Sequence, residues 1–200
     1  MTMRLIVILA SLLYEQHLVT AFYLPYGASY DTVLPNGDDY ISSSISFAPT
    51  VLNFYGDQYS QLRVTTNNWI LFTADGSDSF WNGGFPGAAY EAAIATHSAD
   101  YGTGSTGTIF YRSITKDLTN EGQFNTVDKL LNVFDVPNTV SATWMFVLTY
   151  DRVPEWFTRF QNLVNSWQCI VVVSGTESYV IFKWEDMQAS SGWGPVRVRI

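Results

Sequence analysis

The chain has 200 residues, 47% of them hydrophobic and 16% aromatic, with only 14% charged and a formal net charge of −8. Charge well below the about 25% of an average soluble domain, with apolar residues sufficient for one core, excludes a disordered chain. The acidic balance disfavours nucleic acid and anionic lipid as partners, since both carry the same sign.

The chain opens on a short basic start, Met1-Thr2-Met3-Arg4, followed by an apolar run from Leu5 to Tyr14. That run is shorter than the about 20 residues needed to cross a bilayer. Val19-Thr20-Ala21 supplies small residues where a signal peptidase needs them. Residues 1–21 are therefore expected to be a secretory signal cleaved after Ala21, and 22–200 the mature domain, with no membrane span. Cys169 is the sole cysteine, so the core must hold without an internal disulfide. Its apolar neighbours favour burial over pairing with another chain. There is no Asn-x-Ser/Thr acceptor, so N-glycosylation is not expected.

Ser44-Ile45-Ser46-Phe47 alternates as a strand does. Leu62–Thr66 and Trp69–Thr73 flank Asn67-Asn68, a pair suited to the positive φ of a hairpin turn. The Gly-rich stretch from Ala74 to Ala89 reads as a loop carrying Phe80, Trp81 and Phe85. Thr108–Ile114 is a strand. Val127, Leu130, Leu131 and Phe134 share one helical face, which predicts an amphipathic helix over about 125–135, capped by Asn125 or Thr126 and stopped by Pro137. Ala142–Tyr150 is a further strand. Pro154-Glu155 opens either a second helix, placing Trp156, Phe160 and Val164 together, or an aromatic loop. Gln168–Val173 and Ser178–Trp184 form a hairpin about Ser174-Gly175-Thr176-Glu177, and Val196–Ile200 alternates as a last strand. Strands following strands predict a mainly β fold, an antiparallel β-sandwich-like domain with one packed amphipathic helix.

Catalytic signatures are weak. Gly102 to Gly107 spells G-x-G-x-x-G, but a strand follows it where a phosphate site needs a helix, so it reads as a glycine-rich turn. The mature chain holds one histidine, His97, and one cysteine, far apart, which does not make a zinc site or a nucleophile–base pair. Asp38-Asp39, Asp75 with Asp78, Asp100 and Glu185-Asp186 are the carboxylates for calcium or glycoside chemistry, without EF-hand spacing. Most are expected to be solvated turn residues. Trp81, Trp156 and Trp193 stand in irregular segments, where aromatics serve either the rim of the core or an interface.

The quoted strands carry a resemblance. Thr143-Trp144 through Thr149-Tyr150-Asp151-Arg152-Val153 resembles the "T-W-x-x-x-x-T-W-D-x-V" stretch of the nidogen-type extracellular (NIDO) domain. Asn165-Ser166-Trp167-Gln168-Cys169-Ile170-Val171-Val172 resembles its "N-T-F-Q-A-V-L-I" strand, and Gly175 to Trp184 its "D-G-x-x-S-F-V-I-F-x-Y". Tyr23-Leu24-Pro25-Tyr26-Gly27, Asn53-Phe54-Tyr55-Gly56 and Leu62–Phe72 resemble its N-terminal half, in the same order. The likeness covers nearly all of 22–200 and is strongest over about 91–195. One departure is Ala95-Thr96-His97-Ser98-Ala99-Asp100-Tyr101-Gly102, where the family has "A-P-F-W-A-D-V-D"; Asp100 matches the first acid, and the aromatic pair is replaced.

The resemblance implies a secreted, non-catalytic module for cell–matrix adhesion or matrix assembly, as in nidogens, tectorin-like proteins and membrane mucins. In the family, EGF-like, sushi or von Willebrand modules usually follow this domain. Expected partners are extracellular matrix or cell-surface proteins, with no cofactor. Phe80, Trp81, Phe85, Asp100 and Trp193 form the candidate binding surface. A calcium- or glycan-binding module is the alternative, and a glycosidase-type enzyme the less favoured one.

Overall fold

The computed structural model describes residues 23–73, 92–97, 99–104, 106–133, 140–156 and 162–188. Within them lie strands β1 (Thr32–Val33), β2 (Ile45–Ser46), β3 (Leu52–Phe54), β4 (Asp57–Tyr59), β5 (Gln61–Val64), β6 (Trp69–Leu71), β7 (Ala93–Ala95) and β8 (Thr108–Thr115). Helix α1 (Glu121–Val133) follows, then β9 (Trp144–Pro154), β10 (Val164–Ser174) and β11 (Glu177–Met187). An antiparallel five-stranded sheet runs β1-β8-β9-β10-β11; a four-stranded sheet runs β2-β5-β6-β7; β3 and β4 pair alone.

The larger sheet is covered on both faces, which explains why its central strands read as continuous apolar runs rather than alternating ones. Alternate residues Trp144, Phe146, Leu148 and Tyr150 of β9, with Trp167, Cys169, Val171 and Val173 of β10, pack against Leu62, Val64, Ile70 and Phe72 of the smaller sheet side. The intervening residues Met145, Val147, Ile170, Val172 and Ile181 pack against Phe124, Val127, Leu130 and Leu131 of α1. Burying each such side chain stabilises the fold by about 1.5–3 kcal/mol. Cys169 lies wholly in the inter-sheet layer, and burial pushes its thiol above the usual range.

The helix starts at Glu121, earlier than the period beginning at Val127 predicts. Its start is built by side chains upstream. The Asp117 carboxylate accepts hydrogen bonds from the Thr119 and Asn120 amides, and the Asn120 side chain bonds back to Asp117 N and Thr115 O. Phe124 then becomes the first core residue of the apolar face. Asn125 and Thr126, expected as caps, are interior; Thr126 Oγ1 donates to Gly122 O, one turn back. Phe134, Pro137 and the expected strand 196–200 lie outside the described residues, as does the leader 1–21.

Residues 23–31 run across the helix-side face of the sheet. Leu24 N donates to Gln168 Oε1, and Gln168 Nε2 donates to Leu24 O and Thr149 Oγ1. The Arg112 guanidinium bonds Asp31 at 2.5 Å and Gln123 at 3.0 Å, tying this segment, the sheet and α1 together.

Both expected hairpins are present. Arg63 pairs with Leu71 and Val64 with Ile70 around a turn in which Asn68 has φ +74°. Ser174 pairs with Glu177 around Gly175, at φ +60°. The second helix considered at Pro154-Glu155 does not start there: Pro154 ends β9, and Glu155 bridges Tyr101.

Candidate functional site

The ladder of β9, β10 and β11 loses its regular register at one place. Tyr150 faces Trp167, but the next pair is Val153–Asn165, so Asp151 and Arg152 together oppose Ser166. On the other side Trp167 faces Trp184 and Ser166 faces Asp186, leaving Glu185 extra. These are β-bulges, which bend a strand and re-aim its side chains. Arg152 takes φ +53°, and its amide donates to Ser166 Oγ at 3.0 Å. Gly107 (φ +82°) packs on this bulge, with a Cβ position 2.5 Å from Arg152 O, so the last glycine of the glycine-rich turn is needed for close approach and not for phosphate.

Beyond the bulges, four connecting segments meet: 35–40, 65–68, 96–104 and 154–156. They are joined by hydrogen bonds rather than by apolar contact. Thr103 N donates to Gly37 O, Gly102 N to Pro154 O and Trp156 N to Asp100 O. Asn67 accepts from Tyr101 N and donates to Asp39 Oδ1 at 2.8 Å; Asn68 Nδ2 donates to Ala99 O. The Asn67-Asn68 turn is thereby fully buried, unlike an ordinary hairpin tip.

Beneath these segments lies a polar and aromatic core. Trp167 stacks on Tyr150 with centroids 4.1 Å apart, and its indole N–H donates to Thr96. Asn165 Nδ2 donates to the Tyr101 hydroxyl at 3.0 Å, so that hydroxyl's single hydrogen goes to His97 Nδ1 at 2.7 Å. His97 is therefore neutral and protonated on Nε2. Burial lowers its pKa to about 4. The ring is buried against Tyr101 and Trp167 and serves the core. Burial, then the neighbouring Glu155, holds the Tyr101 phenol well above its usual range.

At the surface of this junction stand Asp38, Asp39 and Asp100. Partial burial raises the Asp100 pKa to about 6, with the negative charges of Asp38 and Asp39 adding to it. Asp38 is raised for the same reasons, burial first and then Asp39. Trp156 is 43% exposed, with one face lying on Gly102, where a Cβ would collide with the indole. Tyr40, also exposed, is held by Thr66 on both its amide and its carbonyl.

Of the predicted surface residues, Asp100 lies in this junction; Phe80, Trp81, Phe85 and Trp193 lie outside the described residues, as do Asp75 and Asp78. Asp38, Asp39, Tyr40 and Trp156 join Asp100 there, although they are distant from it in sequence. The only local signal for this is Asp38-Asp39 in a turn-forming stretch. Glu185 and Asp151 stand instead at the bulges, beside Tyr23 and Tyr26.

Among the described residues no three His, Cys, Asp or Glu side chains are grouped to hold a metal ion. A cavity bordered by Ser44, Gln61, Leu62, Arg63, Leu71, Phe72 and Thr73 measures about 140 Å³ and includes none of these acids. Ligand pockets are usually about 300–1,000 Å³. The junction is therefore a relief of exposed aromatic and acidic groups on a hydrogen-bonded base, suited to contact with another surface.

The sequence profile described as "Nidogen-like domain" matches residues 60–196. The chain is similar to chicken (Gallus gallus) alpha-tectorin, 28% identical over 163 residues, covering 81% of this chain and 7% of that protein. Human (Homo sapiens) alpha-tectorin is 28% identical over 162 residues, with the same coverage. Mouse (Mus musculus) nidogen-2 is 31% identical over 166 residues, covering 79% of this chain and 12% of that protein. The chain thus spans about 7% of the length of the alpha-tectorins it matches. No solved structure matches it.

Proposed function

The chain belongs to the nidogen-like domain family, and from that premise we propose that it is a secreted, non-catalytic module that supports cell–matrix adhesion or matrix assembly by binding extracellular proteins. The family match over 60–196 is the observation that carries this reading. Similarity to alpha-tectorin and nidogen-2 across about four-fifths of the chain supports an extracellular matrix setting. The exposed Trp156 beside Asp38, Asp39 and Asp100 supplies an aromatic anchor with an acidic rim, the composition of protein-binding surfaces. Phe80, Trp81, Phe85 and Trp193 are proposed to extend that surface.

The test is binding of the full secreted chain to extracted matrix and to cell surfaces. Saturable binding is expected, weakened about tenfold or more by Trp156→Ala, the scale of an interface hot spot. Absence of binding to either preparation would remove the adhesion mechanism. The mature protein is expected to begin at Phe22, which N-terminal sequencing reads directly.

The three carboxylates and Trp156 also favour a second reading, a calcium- or glycan-binding module. Carboxylates accept sugar hydroxyls or ligate Ca²⁺, and an indole face stacks on a pyranose. Calorimetry with Ca²⁺ and a glycan array separate this from the first reading; silence in both dismisses it.

A further inference from the structure

We propose that Tyr40 is a tyrosine sulfation site. This rests on the extracellular reading above, because sulfuryl transfer to tyrosine requires passage through the secretory route.

A transferase of this kind handles a polyanionic donor, so its site is cationic and complementary to carboxylates flanking the acceptor. Tyr40 directly follows Asp38 and Asp39 in Pro35-Asn36-Gly37-Asp38-Asp39-Tyr40. The segment is a turn rather than a strand: Asp39 takes φ +50°, and residues 36–39 form a bend. Tyr40 N donates to Thr66 Oγ1 at 3.0 Å and Thr66 N donates to Tyr40 O at 3.0 Å. The backbone is thus anchored from one side while the residue stays 37% exposed.

The other exposed tyrosines of the described residues lack this setting. Tyr30, 56% exposed, is followed by Asp31, but that carboxylate is already held by Arg112 and the Gly27 amide. Tyr55, 61% exposed, sits between Phe54 and Gly56 on a hairpin tip. Tyr26 donates its hydroxyl to Asp151. Only Tyr40 combines an exposed ring with two carboxylates immediately before it.

In the reaction the Tyr40 oxygen attacks the sulfur of a nucleotide phosphoric–sulfuric mixed anhydride. The aryl O–S bond forms, the S–O bond to phosphate breaks, and the nucleotide phosphate leaves with that electron pair. The phenolic proton passes to a base on the transferase, and nothing is oxidised or reduced. The aryl sulfate keeps its charge at all physiological pH values. It adds a fixed anion to the surface of Asp38, Asp39 and Asp100 and directs it toward a basic partner surface.

The full chain, secreted by cells fed sulfate labelled with radioactive sulfur, tests this. The label is expected on the peptide holding Tyr40, with the exact mass of one SO₃ group, resistant to phosphatase and released by acid. Tyr40→Phe abolishes it and Asp38→Asn with Asp39→Asn strongly reduces it, whereas Tyr30→Phe and Tyr55→Phe leave it intact. Unmodified Tyr40 in secreted protein, a phosphatase-sensitive phosphate there, or label surviving Tyr40→Phe would each overturn the assignment while sparing the extracellular reading. Retention of the chain inside the cell would overturn both.

Discussion

The two ends of one sheet are built by different rules. From Trp144 to Tyr150, β9 keeps perfect register with β10, and both faces are filled by aliphatic and aromatic side chains, one against the smaller sheet and the other against α1. Past Ser166 the register breaks twice, and the chain is held by individual hydrogen bonds among Asn67, Asn68, Thr96, Tyr101, His97 and Asn165. The regular half gains stability from area, which tolerates substitutions of similar volume. The bulged end gains it from pairings, each of which leaves a stranded partner when one member is removed.

That contrast can be broken by mutation. The largest effect is expected for Trp167→Ala, at about 3–5 kcal/mol, since it removes the stack on Tyr150 and the bond to Thr96 at the hinge between the halves. Ile170→Val, three residues into the regular half, is expected to cost about 0.5–1.5 kcal/mol by urea denaturation. Equal costs would erase the distinction. Tyr101→Phe deletes one oxygen without changing shape, yet strands His97 and Asn165, and about 1–3 kcal/mol of destabilisation is expected in the same assay.

The pH dependence sharpens the contrast further, because two groups of the bulged end oppose each other. His97 has its folded pKa lowered from 6.5 to about 4. The unfolded chain therefore binds more protons between those values, and the His97 contribution is present above pH 6.5 and lost as pH falls toward 4. Asp100 is raised from 3.8 to about 6, so the folded chain binds more protons in that window, and stability from this group falls as pH rises through it. Asp100→Asn is expected to raise stability at pH 7 and to steepen the loss on acidification below pH 6.5. Thermal melts from pH 4 to 7 that are identical for both proteins would refute the assignment of Asp100. The smallest effect is expected for Arg152→Gly: relief of a left-handed residue worth about 1–2 kcal/mol, partly offset by the greater backbone freedom of glycine in the unfolded chain. A loss of stability on that change would mean that the Arg152 side chain contributes more than its backbone strain costs.

The regular half was legible in the sequence because its information is local. Apolar runs mark β9, β10 and β11, and Asn67-Asn68 and Gly175 mark their turns. The helix was legible as a face but not at its start, because Asp117 and Asn120 cap it through a preceding turn while the apolar period draws attention to Val127. Strands of two or three residues, such as β1 and β7, were not legible. Thr32 is a strand residue only because Tyr111, 79 positions away, pairs with it. The junction followed the same logic. Asp100 could be singled out alone, but its partners Asp38, Asp39 and Trp156 reach it through the folding of four separate connections. The family motifs also change meaning. Asn165, Ser166, Trp167 and Gln168 bond respectively to Tyr101, Arg152, Thr96 and Leu24, so that stretch wires the irregular end together and offers no surface of its own.

Cys169, sealed in the inter-sheet layer with its thiol held protonated, has a kinetic consequence. Thiolate is the reactive form, and neither reagent nor base reaches this sulfur until β9, β10 and the smaller sheet have separated. With a single thiol in the chain, the rate of alkylation counts whole-molecule openings one by one. The domain thus carries a clock of its own unfolding, set at the centre of the half that should open last.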